Sequence, residues 1–317
     1  MKGKCSLPNC GLKDGLACEL GHSEFAKCPH FQDVTDKVAE AASVVADDGS
    51  GQRLPWTGRA MGLSDMMLVS ARSSSSLVGL IGPFKSGKTS FLTSLFVHFA
   101  ESGIVGNFSF AGSYTIDAWA RLKQYTVWPA AYGPSFPPHT PVTGDRVPSL
   151  LHLACRKGTS PVQDLLFTDA PGEWFTRWVR NQAADDALGA RWIADHATHF
   201  LFFVDRSALA SPEVGKARQD TLTLARLLAE HRRNRPVASI WTKSDETCAE
   251  KIEAPIREKL KEYFGAHSSW NLHAGDPTCL KVLSELLVRP EPSLALPIPS
   301  VSVKSSSAFM SYSGATK

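Results

Sequence analysis

The octapeptide Gly82–Thr89, Gly-Pro-Phe-Lys-Ser-Gly-Lys-Thr, limits the fold of this chain more than any other stretch. A glycine, four residues and Gly-Lys-Thr are the spacing of a loop that wraps phosphate groups, and such a loop works only between a buried strand and a helix. Both flanks are present. The apolar run from Ser76 to Gly82 reads as a buried strand, and residues 87–102 read as a helix with Phe91, Leu92, Leu95 and Phe96 at helical spacing. A chance glycine-rich turn would explain neither flank. Gly82 and Gly87 permit backbone conformations that a side chain disfavours. The N–H groups of the loop, through Lys85 and Ser86, and the helix N-terminus would then face the phosphates. Lys88 is expected at the β- and γ-phosphates, Thr89 on Mg²⁺, and Ser90 at the α-phosphate.

From residue 77 onward strand and helix patterns alternate, which predicts a three-layer α/β/α arrangement with a mostly parallel sheet. Ser149–Lys157 and Pro161–Asp169 flank the short turn Gly158-Thr159-Ser160 and should pair as an antiparallel hairpin. His199–Asp205 and Pro236–Asp245 contain further buried strands, with a helix over 213–234 between them. Ile256–Phe264 reads as another helix and residues 296–306 as a last strand. The Pro-rich stretch 127–148 reads as an irregular loop. The expected divisions are a head at 1–32, a linker and lead-in at 33–76, the main domain at 77–304 and a polar, flexible tail at 305–317.

Two more motifs follow the first. Asp169-Ala-Pro-Gly172 ends a strand with a carboxylate where Mg²⁺ needs organising, and it puts the Gly172 N–H where a γ-phosphate would be sensed. By itself that Asp could be an ordinary residue of a strand-end turn. Thr242-Lys243-Ser244-Asp245 ends the next-but-one strand. A carboxylate there can accept two parallel hydrogen bonds from guanine N1–H and N2–H₂. Adenine offers no such pair of donors, and an unpaired buried carboxylate is costly, so Asp245 discriminates. The Lys243 stem can lie along the base.

Together the three motifs resemble the P-loop GTPases of the translation-factor-like (TRAFAC) clade, over about 77–304. The resemblance implies the P-loop NTPase fold, GTP and GDP binding with Mg²⁺, two nucleotide-sensing switches and slow or partner-stimulated hydrolysis. Within that clade the chain resembles the bacterial double-GTPase families associated with multi-gene conflict (antiphage defence) systems. The Cys-rich head, the lead-in Leu54–Met67, and the stretches Phe110–Trp119 and Asp169–Phe175 carry that likeness.

Three places depart from the GTPase pattern. The water-positioning Gln or His after the second-motif glycine is Glu173 here, and a carboxylate beside a γ-phosphate is repelled unless turned away. That keeps open the reading of a module that holds GTP without turnover; a separate rival is an ATP-using protein in which Thr-Lys-Ser-Asp is accidental. The switch threonine, a further Mg²⁺ ligand, is assigned to Thr140, with Thr143 and Thr115 as alternatives. The base-capping triplet is matched weakly by Ser302-Val303-Lys304, which leaves too few residues for the usual closing helix. That helix should be short, absent or supplied by a partner.

For a transition-state cation, Lys85, Arg177 and Arg180 are the candidates, and the plainer reading of all three is solvated surface charge. Trp174, Phe175 and Trp178 follow the second motif. Such spacing is more often core, but a nucleotide-sensitive segment at 173–181 is also a candidate surface for a protein partner.

Four of the seven cysteines, Cys5, Cys10, Cys18 and Cys28, lie in the first 28 residues. A segment that short can hardly fold without a staple, so a structural Zn²⁺ site is expected, with His22 or His30 able to replace one thiolate. The intervals after Cys10 are wider than usual for zinc, and the alternative is a set of reduced thiols. With 34 basic and 31 acidic residues the net charge is +3, which does not suggest nucleic acid or an anionic membrane as partner. No apolar run has the length of a membrane span or a secretory signal, so a cytoplasmic location is expected.

Overall fold

The computed structural model describes residues 3–5, 31–33, 60–70, 75–124 and 148–288. The chain divides into two compact units, Met1–Leu54 and Pro55–Lys317. In the first, β1 (Gly3–Cys5) pairs antiparallel with β2 (Phe31–Asp33), Cys5 opposite Phe31. The side chains of Cys5, Cys10, Cys18, Cys28, His22 and His30 lie outside the described residues, as do Thr140, Thr143 and everything after Val288, including Ser302 and Lys304.

The second unit holds an eight-stranded sheet. Its strands are β3 (Ser75–Ile81), β4 (Ile104–Val105), β5 (Phe108–Gly112), β6 (Ser149–Lys157), β7 (Val162–Asp169), β8 (His199–Asp205), β9 (Val237–Thr242) and β10 (Ser268–Asn271), in the order β10-β9-β8-β3-β7-β6-β5-β4. From β10 to β7 the pairing is parallel, and from β7 to β4 it is antiparallel. The expected hairpin is present as β6–β7, with Ser149 opposite Asp169. Its turn closes by a Ser160 N–H to Lys157 carbonyl bond of 2.9 Å.

Period-two alternation explains the layering. On β8, Phe200, Phe202 and Val204 point into one core, and Leu201 and Phe203 into the other. Each such fully buried side chain stabilises by roughly 1.5–3 kcal/mol. The first core is covered by α1 (Leu63–Ser70), α4 (Gly172–Arg180), α5 (Leu188–His196), α7 (Val214–His231) and α8 (Glu250–Phe264). The second is covered by α2 (Lys88–Ser102), α3 (Ile116–Gln124) and α9 (Cys279–Val288). A short helix, α6 (Arg206–Ala210), follows β8 directly. The lead-in is pinned by Met61, whose N–H and carbonyl both bond Leu150, at 2.8 and 3.0 Å.

Two expectations need correction. The closing helix is neither absent nor borrowed: α9 follows β10 within the chain and packs its Val282, Leu283 and Leu286 into the core shared with α2. A strand after α8 is present as well, the four-residue β10; the strand expected at 296–306 lies outside the described residues. The second correction concerns the aromatics of α4. Trp174, Phe175 and Trp178 are 3%, 0% and 0% exposed, so they are core and offer no partner a surface. Among the described residues, no helix is long and apolar enough to cross a membrane.

Candidate functional site

β3 lies between β7 and β8, so the loop that leaves it emerges at mid-sheet, beyond the carboxyl ends of the parallel strands. Open α/β sheets bind ligands there. The loop turns into α2 through Gly87, at φ +84°, where an added Cβ would also lie 3.2 Å from Thr242 Cγ2. No side chain caps α2. Its first-turn amides are therefore of the kind that anions satisfy.

Lys88 is buried, and its Nζ donates to the Gly82 and Pro83 carbonyls at 2.9 and 3.0 Å. The ammonium is thus curled into the loop. Burial lowers its pKa to about 8, while the Asp169 and Glu173 carboxylates push in the opposite direction. Those two charges are accordingly close enough to be felt at the lysine.

Asp169 is the last residue of β7. Pro171 then starts α4, and Gly172 rests on the loop: a Cβ there would sit 2.5 Å from both N and Cα of Phe84. Only glycine permits that approach. Glu173 comes next, and its Oε2 is buried without a hydrogen-bond partner. The Ser86 Oγ is in the same condition. Two unpaired buried oxygens at a loop of this kind fit a site shaped for a polar ligand.

On the other side of the loop, Thr242 Oγ1 reaches both the Ser86 carbonyl, 3.0 Å, and the Val204 carbonyl, 3.1 Å. Lys243 has φ +55°, and its Nζ donates to Asp205 Oδ2 at 2.6 Å. Asp245 is exposed on the loop that follows. Phe84 to Phe91, Gly172, Glu173, Thr242, Lys243 and Asp245 all line one cavity of about 540 Å³. Lys85, Ser86, Gly87, Lys88, Thr89 and Ser90 are therefore gathered with Gly172, Glu173, Thr242, Lys243 and Asp245, while Gly82 and Asp169 do not line the cavity.

Leu272, His273 and Ala274, which carry no motif, line the same cavity directly after β10. Leu272 locks to the third motif: its N–H bonds the Trp241 carbonyl at 2.8 Å, and its carbonyl accepts from Ser244 N–H at 3.0 Å. The available signal was positional, since this short loop follows the strand after the Asp245 segment.

Other candidates fall away from the cavity. Thr115 is fully buried, and its Oγ1 accepts from His152 N–H at 2.9 Å, so it is tied to the hairpin. Arg177 faces Asp186 at 3.6 Å and Arg180 is exposed; neither lines the cavity. Lys85 does, with its ammonium 5.3 Å from the Phe84 ring centroid.

No curated protein matches the chain. One solved structure similar to it is Era in complex with MgGDPNP and nucleotides 1506–1542 of 16S ribosomal RNA, at 16% identity and a TM-score of 0.36. The match covers 68% of this chain, which spans 56% of that one. The family model for Double-GTPase 2 matches residues 76–287, more than half of the chain and the whole stretch that builds the cavity. The chain belongs to the Double-GTPase 2 family.

Proposed function

We propose that this protein is a Mg²⁺-dependent GTP-binding switch that hydrolyses GTP. The observation that carries the reading is the shared cavity: Asp245 and the phosphate loop line it together, and the Thr242–Ser86 hydrogen bond ties the strand end before Asp245 to that loop. Family membership supports it.

In this reading the loop amides and Lys88 hold the β- and γ-phosphates, Lys88 exchanging its Gly82 and Pro83 carbonyls for phosphate oxygens. Ser90 meets the α-phosphate. Thr89 and Asp169 would hold Mg²⁺, with Thr140 as a third ligand, and the ion would supply charge neutralisation between the phosphates. Asp245 accepts from the guanine N1–H and N2–H₂, the Lys243 stem covers one face, Leu272–Ala274 close the edge, and Ser302 and Lys304 remain the proposed base cap. Gly172 reports the γ-phosphate to α4 through its contact with Phe84. The unpaired Glu173 oxygen accepts a hydrogen bond from the attacking water.

A second reading, binding without turnover, is favoured by the same carboxylate, which repels a γ-phosphate if it stays charged and inward. Single-turnover hydrolysis of GTP separates the two: phosphate release that is lost in Glu173→Ala supports the switch, and no release with or without added cell extract supports the binding module.

The head is read as a structural Zn²⁺ unit on Cys5, Cys10, Cys18 and Cys28, and bound zinc measured in the purified chain tests it. A protein partner at 173–181 would meet Arg177, Arg180 and Asn181, the polar side of α4. A role in a bacterial conflict system, in the cytoplasm, is part of the same proposal and rests on the family resemblance alone.

A further inference from the structure

The base side of the cavity is held from behind by charged side chains that do not line it. Arg206, the first residue of α6, donates from Nη1 to the Ser244 carbonyl at 3.0 Å and from Nε to Glu253 Oε1 at 2.5 Å. Glu253 belongs to α8 and is 4% exposed. Its second oxygen accepts from Arg257 Nη2 at 3.1 Å. Arg257 goes on to Asn271 Oδ1 at 2.8 Å and Ser269 Oγ at 3.1 Å, with its guanidinium 3.8 Å from the Trp241 ring centroid. Asn271 ends β10, immediately before Leu272–Ala274.

The connection therefore runs from the Asp245 loop to the other loop beside it: Ser244, Arg206, Glu253, Arg257, Asn271. A buried carboxylate is costly to desolvate, and apolar residues of the same volume would serve stability as well or better. Here both carboxylate oxygens are paired with guanidinium groups, whose other ends hold the Asp245 loop at Ser244 and strand β10 at Ser269 and Asn271. The loop needs holding. Lys243 stands in the left-handed region, which a non-glycine residue occupies only when its surroundings enforce it. Two successive residues at the junction of β8 and α6 do so: Asp205 fixes the Lys243 ammonium, and Arg206 fixes the Ser244 carbonyl.

We propose that Arg206 is a positioning residue for base recognition, which with Glu253 and Arg257 sets the loop carrying Asp245 and couples it to Leu272–Ala274. This rests on the reading of the cavity as a guanine-nucleotide site. Arg206 touches no nucleotide atom in this scheme; it acts through the loop. Its removal weakens binding of the base and leaves the phosphate loop, on the far side of Thr242, unchanged.

The test is a set of affinities for GTP, ATP and inorganic tripolyphosphate, each with Mg²⁺, for the full chain and for Arg206→Ala, Arg206→Lys and Glu253→Gln. The wild-type chain should prefer GTP to ATP. Arg206→Ala should weaken GTP about tenfold and hold tripolyphosphate within about twofold, the size expected for one lost charged hydrogen bond. Arg206→Lys keeps the charge towards Glu253 without the two-pronged fork and should recover part of the loss. GTP binding unchanged in Arg206→Ala, or an equal loss of GTP and tripolyphosphate, overturns the proposal. If Arg206→Ala does not fold, Arg206→Lys and Glu253→Gln decide it: an unchanged GTP-to-ATP ratio in both overturns it. A wild-type chain that shows no preference for GTP removes the underlying reading instead.

Discussion

Thr242 Oγ1 lies 3.0 Å from the carbonyl oxygen of Ser86, so the end of β9 is fastened to the middle of the phosphate loop. The same hydroxyl is 3.1 Å from the Val204 carbonyl, and its single proton is shared between the two. The end of β9, the end of β8 and the loop after β3 are thereby tied together at one hydroxyl. Thr242→Val keeps the shape and removes the donor. It leaves a buried carbonyl short of a partner, which costs about 1–3 kcal/mol. Stability to urea should fall by that amount, and GTP affinity should drop about tenfold.

Gly172 is the contact through which α4 rests on the loop. Gly172→Ala puts a methyl 2.5 Å from the Phe84 backbone, and neither side of that contact is a flexible side chain. The start of α4 must move away. Nucleotide affinity should stay within about threefold, since the base side is untouched, while single-turnover hydrolysis falls by at least about tenfold. A variant that hydrolyses at the wild-type rate would separate Gly172 from the switch.

Trp178 is fully buried between α4 and α7, with His231 edge-on at 5.2 Å. Trp178→Ala should therefore unfold more easily by about 3–5 kcal/mol. Chemical denaturation checks it, and a loss below about 1 kcal/mol would return this residue to the surface. Gly189 tells the same story: an added Cβ meets the Trp174 ring at 2.2 Å, so Gly189→Ala should overpack this core and cost about 1–3 kcal/mol.

Burial pushes the thiols of Cys155 and Cys279 up to about 12, with Asp164 and Asp276 adding to the shift. The thiolate is the reactive form. Neither residue should be alkylated by iodoacetamide at pH 8 in the folded chain, and both should be in urea. Peptide mass spectrometry reads each site separately.

The three motifs were legible because each is a contiguous strand-loop-helix or strand-loop segment whose residue types are dictated by phosphate, metal or base. Leu272–Ala274 were not, because much of what they contribute is backbone: the Leu272 carbonyl and N–H would look alike with many side chains. β10 is only four residues long, too short for alternation to stand out, and the strand expected at 296–306 lies outside the described residues. The α4 aromatics were ambiguous because Trp174, Phe175 and Trp178 spaced on a helix serve a core or an interface equally well. Only the layer of α5 and α7 above them decides it. The Arg206–Glu253–Arg257 connection had no sequence signal, since charged residues far apart in the chain read as solvated.

The central claim is that Asp245 reads guanine in a cavity whose other side holds phosphate. The most direct measurement is a titration of the full chain and of Asp245→Asn with fluorescent GTP, XTP and ATP analogues in Mg²⁺. An asparagine amide donates where the carboxylate accepted, so it loses the guanine N2–H₂ partner and suits the xanthine O2. The wild-type chain should show a clear preference for GTP, lost in Asp245→Asn and replaced by a preference for XTP. Equal binding of GTP and ATP by the wild-type chain, or a GTP preference that survives in Asp245→Asn, would contradict it.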